Sequence, residues 1–526
     1  MMLACVAALK PQKANAYFAA QEQFDFIVNN LRSPEMNQMS HSQVEEFLEV
    51  DGRELMRQLL EAHLEERGAS LPLEPVVSSD EKPHAQRFQH TRKVESILGT
   101  VSLTRYGYGG VGLESLHPLD SELNLPPELY SHTVRKRVAE FASKESFDEV
   151  VSTIKNHTGA SVAKRQVEEL SVRAAEDFDS FYESCQAAKA SADEANETGQ
   201  ILVISTDGKG VVMRQEDLRG VTQKAAAANK PHLKHRRSKG EKPFRKRMAT
   251  VASVYTIKPY PRQAEEIIGE LSGEELVKAR PRPEEKRVWA SLKKSQAEVI
   301  EEAFSESESR DPLHQKEWVG LVDGNKSQLK LLESKAKECG VKLRIILDLI
   351  HVIEYLWKAA WCFHKEGDCE AEEWVSERLK GILSGKSSLV AAGMRRSATI
   401  RGLSRSEREG VDKCANYLLK YKKYLHYDQY LSKGYPIATG VIEGACRYLV
   451  KDRLEKTGAR WGLTSAEAVL RLRALRASGD FEEYWEFHLE QEQERNHATR
   501  YANSELPKLQ HQPSDKKKPC HLRLIK

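Results

Sequence analysis

ILVISTDGKGV, residues 201–211, is the stretch on which the fold turns. Ile201 to Thr206 form a short, β-branched apolar run that reads as a buried strand ending at Asp207. Outward from it lie three more strand candidates: RMATVASVYTI (247–257), WVGLVDG (318–324) and VKLRIILDLI (341–350). Helical periodicity occupies 263–277, 283–304 and 326–338 between them, so the expected core is mixed α/β. From 354 to 433 the strand signals vanish, which predicts an all-helical insertion with Trp357, Trp361 and Trp374 mainly in its own core. IATGVIEGACRYLVKDRLEK, 437–456, reads as one strong helix.

The chain has 526 residues, 30% of them charged and 40% hydrophobic, which suits a multidomain globular protein and excludes collagen-like, wholly disordered and disulfide-framed classes. The formal net charge is only +3, so local patches must carry any nucleic-acid argument. Eight scattered cysteines without a C-x-x-C point to a reducing cytoplasm. Cys362, His364 and Cys369 match no zinc spacing and read as chance neighbours at a helix end. No apolar run is long enough to span a membrane, and MMLACVAALK lacks a basic segment before it and reads as structured.

Residues 17–67 are rich in helix formers, with Phe24, Ile27 and Leu31 at helical spacing. A proline- and serine-rich linker (71–85), strand-like alternation (93–106) and a glycine-rich turn (107–112) follow. At 146–178, Phe147, Val150, Val151 and Ile154 mark one helix face and Thr158-Gly159 a break. Ser161 is placed to cap a second helix striped by Ala163, Val167, Leu170 and Ala174. This fits a helix-turn-helix with Lys164, Arg165 and Gln166 at the reading end, and equally an ordinary helical hairpin with a solvated face. The organisation expected is an N-terminal helical region (1–80), a region that holds the two-helix motif (86–185), a mixed α/β core (200–353 and 434–480) split by the insertion (354–433), and a C-terminal tail (481–526) that is polar and loose from about Glu490.

Asp207 and Asp323 each follow an apolar run, and either Asp-Gly alone is an ordinary turn signal. Glu443 adds a third acid at the start of a helix with an apolar face. Three hard carboxylates brought together from distant parts of the chain suit Mg²⁺ or Mn²⁺, and such a set can hold two ions for phosphodiester chemistry. Between Asp207 and the next strand lies a basic stretch that includes Arg236, Arg237, Arg245 and Arg247, either phosphate-binding or a solvated loop. Arg447 and Lys451 follow Glu443 at one-turn spacing, placed to track a DNA backbone or to pair with Asp452 and Glu455.

STDGKGV, LVDGNKSQLK, ILDLIHVIEYLW and GYPIATGVIEGACRYLVKDRLEKTGARWG, in that order, resemble the conserved blocks of the ISKra family of bacterial insertion-sequence transposases. SLHPLDSELNLPPE upstream resembles the same family. The resemblance implies a DDE transposase with an RNase H-like mixed sheet, Asp207, Asp323 and Glu443 as catalytic and metal-binding residues, and two Mg²⁺ or Mn²⁺ ions. It implies binding to the terminal inverted repeats and to target DNA, assembly as a homo-oligomer on DNA, and work at the bacterial nucleoid. The family is similar to Mutator-like elements with a C/D-x-x-H motif, here Asp348 and His351; His351 then contacts DNA or orients a ligand, or is a core histidine with a hydrogen-bond partner. TRYGYGGVGLESLHPLD lacks the cysteines that many relatives carry before the helix-turn-helix, so no zinc site is expected there. A nuclease that cleaves without joining and a non-enzymatic DNA-binding derivative are the alternatives.

Overall fold

The computed structural model describes residues 15–190, 198–228, 244–273, 279–456 and 458–510. The chain divides into two compact units, Met1–Asp177 with Trp485–Lys526, and Phe178–Tyr484. Nine strands among the described residues are numbered along the chain: β1 (Leu71–Pro72), β2 (Gln86–Ser96), β3 (Gly99–Gly109), β4 (Ile201–Val212), β5 (Lys246–Ile257), β6 (Glu284–Ser291), β7 (Glu317–Val322), β8 (Arg344–Leu347) and β9 (Leu509–Gln510).

In the first unit, helices Phe18–Leu31 and His41–Gly68 precede the antiparallel β2–β3 hairpin. Of the expected Phe24, Ile27 and Leu31 stripe only Ile27 is buried, while Phe24 is exposed. Helices His132–Ala142, Phe147–His157 and Lys164–Arg173 then share one apolar core that includes Val138, Val150, Ile154, Val167 and Leu170. Ser146 and Glu149 form a capping box at the start of the second of these. The third begins at Lys164 with Ala163 as N-cap, and Ser161 instead donates its backbone N–H to Glu95 at 2.9 Å. The expected cap at Ser161 is therefore corrected. Residues 71–85 do not behave as a free linker: Val76 is buried and β1 pairs with β9. That pairing, with the Phe481–Asn496 helix, also corrects the expectation of a loose end as far as residue 510. Arg135 is wholly buried and donates to Glu492 at 2.5 Å, while His488 meets Asp177 at 2.6 Å, so this stretch is held by paired buried charge.

The second unit is built on a five-stranded mixed sheet in the order β6-β5-β4-β7-β8. β4 is central; Ile201 to Thr206 are all buried, as a strand covered on both faces requires. β5 pairs with it antiparallel and β7 parallel, and β8 adds parallel to β7. Two expectations are corrected here. β4 does not end at Asp207, because β5 accompanies it as far as the Val212–Lys246 pair and leaves no room for a turn at Asp207-Gly208. Residues 283–304 are not one helix. Val288, Trp289 and Ala290 are buried in β6 as the outer partner of β5, and the helix Gln296–Arg310 starts only after the Ser295–Glu298 capping box.

The helix Leu349–Ala360 leads from β8 into Cys369–Leu383, Ser387–Ile400, Glu409–Lys420 and Tyr427–Ser432. A side chain at Gly410 would meet the Lys358 carbonyl at 2.2 Å, so glycine there permits close approach of Glu409–Lys420 to Leu349–Ala360. Trp374 is buried against Phe363, but Trp361 is 40% exposed and stacks on Trp357 at 5.1 Å. The tryptophans thus do not share one core, because Trp361 lies at the C-terminal end of its helix.

Candidate active site

The parallel register aligns three aspartates. β4 and β7 pair Ile201 with Glu317 and Ser205 with Leu321; continued two residues, the register sets Asp207 against Asp323. β7 and β8 pair Val322 with Leu347, and one residue further Asp323 falls against Asp348. Adjacent strands lie about 4.8 Å apart, so the acids fall side by side, Asp323 and Asp348 directly after β7 and β8 and Asp207 within β4. Asp207 and Asp323 are half-buried and Asp348 is fully buried. An open α/β sheet binds ligands in the crevice at this edge.

Each acid is held by local geometry. Asp207 accepts from the Gly208 N–H at 2.6 Å and from the Cys446 thiol at 3.2 Å. Asp323 accepts from the Asn325 N–H at 2.9 Å, and Gly324 between them adopts a left-handed φ of 94°. Asp348 is the N-cap of Leu349–Ala360, accepting from the His351 N–H at 3.2 Å. It also accepts from His351 Nδ1 at 2.8 Å and, on its other oxygen, from the Thr439 N–H at 2.9 Å.

Glu443 arrives from the far side of the insertion. The segment expected as one helix is three: Gly440–Ala445 α-helical, Cys446–Lys451 π-helical and Asp452–Leu454 α-helical. Arg473 donates to the Leu449 carbonyl at 2.8 Å and also to that of Tyr448, and a donor set into the ladder supports such a widened turn. π-helical turns are frequent at functional sites. The result brings ligand atoms of Asp348, His351 and Glu443 within 4.8 Å of one another. Asp207 and Asp323 do not belong to that closest trio, but the Asp207 charge reaches Glu443 and the Asp323 charge reaches His351.

The electrostatics follow from this crowding. The protein packed around Glu443, then the Asp348 and Asp207 charges, push its carboxyl above the ordinary value. His351 is raised to about 9, first by its hydrogen bond to Asp348, so at neutral pH it is an imidazolium set among acids. Burial and then Asp207 push the Cys446 thiol up, which keeps it protonated as a donor.

The helical insertion reaches into the same place. Tyr417 donates to the Asp323 carbonyl at 3.3 Å, Tyr421 to that of Gly324 at 2.7 Å and Tyr427 to that of Leu347 at 2.7 Å. A cavity of about 550 Å³ opens there, with Asp323, His351, Tyr355 and Tyr417 in its wall. Sequence reasoning missed Cys446 and these tyrosines; the tyrosine punctuation of KYKKYLHYDQY (420–430) signals Tyr421 and Tyr427 but neither Tyr417 nor Cys446.

The expected DNA-contacting residues are scattered. In the first unit Lys164 pairs with Asp148 at 2.6 Å, Arg165 with Glu169 at 2.9 Å, and Gln166 donates to Glu169 at 2.8 Å. In the second, Arg245, Arg447 and Lys451 are exposed. Arg247 is half-buried and spends its guanidinium on the Leu292 and Asp217 carbonyls, which makes it a structural strut in place of a phosphate contact. Arg236 and Arg237 lie outside the described residues. His364, Asp368 and Glu370 form a second close group, in which Asp368 and Glu370 stand with His364 in place of the discounted Cys362 and Cys369. No helix among the described residues is long and apolar enough to cross a membrane.

No family model and no curated protein matches the chain. Among solved structures it is similar to the Drosophila P element transposase strand transfer complex, with 9% identity and a TM-score of 0.22 over 70% of this chain and 82% of that one. A TM-score of that size carries neither fold nor activity from one chain to the other.

Proposed function

We propose that this chain is a DDE-type transposase resembling the ISKra family, with an RNase H-like core, that cuts the ends of its own element and joins them to target DNA. The observation that carries the reading is the set of Asp207, Asp323 and Asp348 on three adjacent parallel strands, the first within β4 and the other two directly after β7 and β8, with Glu443 delivered beside them by a helix beyond the insertion. Acids gathered in this way repel one another and are retained where a cation or a reacting group uses them.

The donor set is mostly hard carboxylate oxygen and fits Mg²⁺ or Mn²⁺. Asp207, Asp323 and Glu443 would hold such ions, two in number on this reading, with Asp348 and His351 in support. When bound, the ions make an attacking water or 3′-hydroxyl more acidic and neutralise charge on the phosphodiester. Asp348 orients His351 by accepting a hydrogen bond from its Nδ1, which leaves the Nε2 N–H of the imidazolium free to donate toward DNA. Cys446 and the Asn325 N–H orient Asp207 and Asp323, so their oxygens need little rearrangement before DNA arrives. Lys164, Arg165 and Gln166 would read the terminal inverted repeats, while Arg245, Arg447 and Lys451 add phosphate contacts. Assembly as a homo-oligomer on DNA is part of the proposal.

The test is incubation of the full chain with labelled duplexes carrying the inverted repeats that flank its coding sequence, with Mg²⁺ or Mn²⁺. Cleaved and joined products are expected, both lost in Asp207→Asn. Cleavage without joining would make it a hydrolytic nuclease, and end binding without either product a DNA-binding protein.

A further inference from the structure

The cavity beside Asp323 has two unlike walls. One is the acidic turn Asp323-Gly324-Asn325 with His351. The other is one face of the helix Glu409–Lys420, where Lys413, Asn416, Tyr417 and Lys420 recur at three- and four-residue spacing. Tyr355 completes it and stacks on Tyr417 with ring centroids 4.0 Å apart and an angle of 16°. The Tyr417 hydroxyl is tied to the Asp323 carbonyl, so this aromatic pair is anchored to the acidic turn itself.

Resting on the transposase reading, we propose that this cavity takes one unpaired nucleotide of the DNA strand being cut, its base against Tyr355 and its phosphates between Lys413 and Lys420. Three observations favour that ligand. A volume of about 550 Å³ lies within the usual range for small-ligand sites, roughly 300–1,000 Å³, which suits a nucleotide and not a duplex. A flat aromatic surface beside cations is how proteins hold single-stranded nucleic acid whatever its sequence. The cations are only lightly engaged: Lys413 meets Glu409 at the helix surface, Lys420 meets the Tyr421 hydroxyl, and exposed Lys358 lies over the Tyr355 ring, 5.0 Å from its centroid, where a base can displace it. Asn416 adds an amide at the same face, its oxygen now accepting from Arg395 at 2.8 Å. A nucleotide seated there would have a phosphodiester beside Asp323, so the insertion would hold the strand that the acids act on.

The experiment is metal-free binding of the full chain to a 5′-fluorescein oligothymidine of eight residues, followed by anisotropy in EDTA, with a duplex of the same length as control. Tyr355→Ala is expected to weaken the single strand at least about fivefold, the low end of what one stacked base is worth, and to leave the duplex unchanged. Tyr355→Phe keeps the ring and should bind as the parent does, which separates stacking from damage to the fold. Lys413→Ala with Lys420→Ala should weaken the single strand and flatten its salt dependence. Equal single-strand binding by Tyr355→Ala and the parent, equal loss on the duplex, or equal loss in Tyr355→Phe overturns the proposal. Because no cleavage is read, a chain that cuts DNA yet fails this test sinks only the nucleotide site. One that passes it yet never cuts sinks only the transposase reading.

Discussion

The basic helix start at Lys164 and the acidic row at Asp207 are built in opposite ways. Lys164, Arg165 and Gln166 sit on a surface, each already matched with an acid within one short element pair. Asp207, Asp323 and Asp348 are gathered from three strands into partial or complete burial, with Glu443 beside them and the His351 cation in their midst. Surface pairs of the first kind contribute about 0.2–1 kcal/mol and form wherever sequence allows. Crowded acids of the second kind persist because the fold enforces them. The contrast teaches that the acidic row is the stronger mark of function, and that the basic helix must show its role by binding DNA.

The largest break expected is at the row. Asp323→Asn should lower strand cleavage by roughly 10²–10³-fold or more while leaving duplex binding intact, measured with labelled ends. Equal loss of binding would mean that Asp323 is structural. Next is the internal cation. Asp348→Asn keeps a capping side chain but removes the charge, and should return the His351 pKa from about 9 toward about 6.5, read by NMR titration. The sign is set by the raised folded value: the stability from this pair is complete below about pH 6.5 and is lost as pH climbs through about 9. The parent should therefore lose stability across that window, and Asp348→Asn should lose much less. A smaller effect is expected at the tyrosine clamp. Tyr421→Phe removes the donor to the Gly324 carbonyl and should cost about 0.5–1.5 kcal/mol in denaturant unfolding. It should also weaken Mn²⁺ binding measured by calorimetry. The smallest change in stability belongs to the basic helix: Lys164→Ala should alter it by less than about 1 kcal/mol. If Lys164 contacts phosphate, the same variant lowers the salt slope of end binding by about 1. A slope unchanged from the parent's would return the three-helix unit to the status of an ordinary bundle.

Much of the site was legible in sequence because the same signature repeats. LVD and ILD each place an aspartate directly after a buried parallel strand, and IST-Asp207 places one inside the central strand. Period-two and apolar-run patterns therefore located β4, β5, β7 and β8, and the helix Lys326–Glu338 was legible to the residue. β6 was misread because Glu284 to Lys286 carry helix-forming side chains, and only the need of β5 for an outer partner makes a strand of that stretch. The end of β4 was misread for a related reason. Asp-Gly is a turn in isolation, and pairing with β5 keeps it extended.

The linear chain by itself determined which residues are acids after apolar runs and where helical insertion replaces strands, since both depend on neighbours a few positions away. Tertiary structure alone decided that Asp207, Asp323 and Asp348 share one register, that the Glu443 helix widens where Arg473 meets its carbonyls, and that Cys446 and three insertion tyrosines grip the acidic turns. Register and long-range hydrogen bonds are set by how whole elements pack, and no local pattern of side chains encodes them.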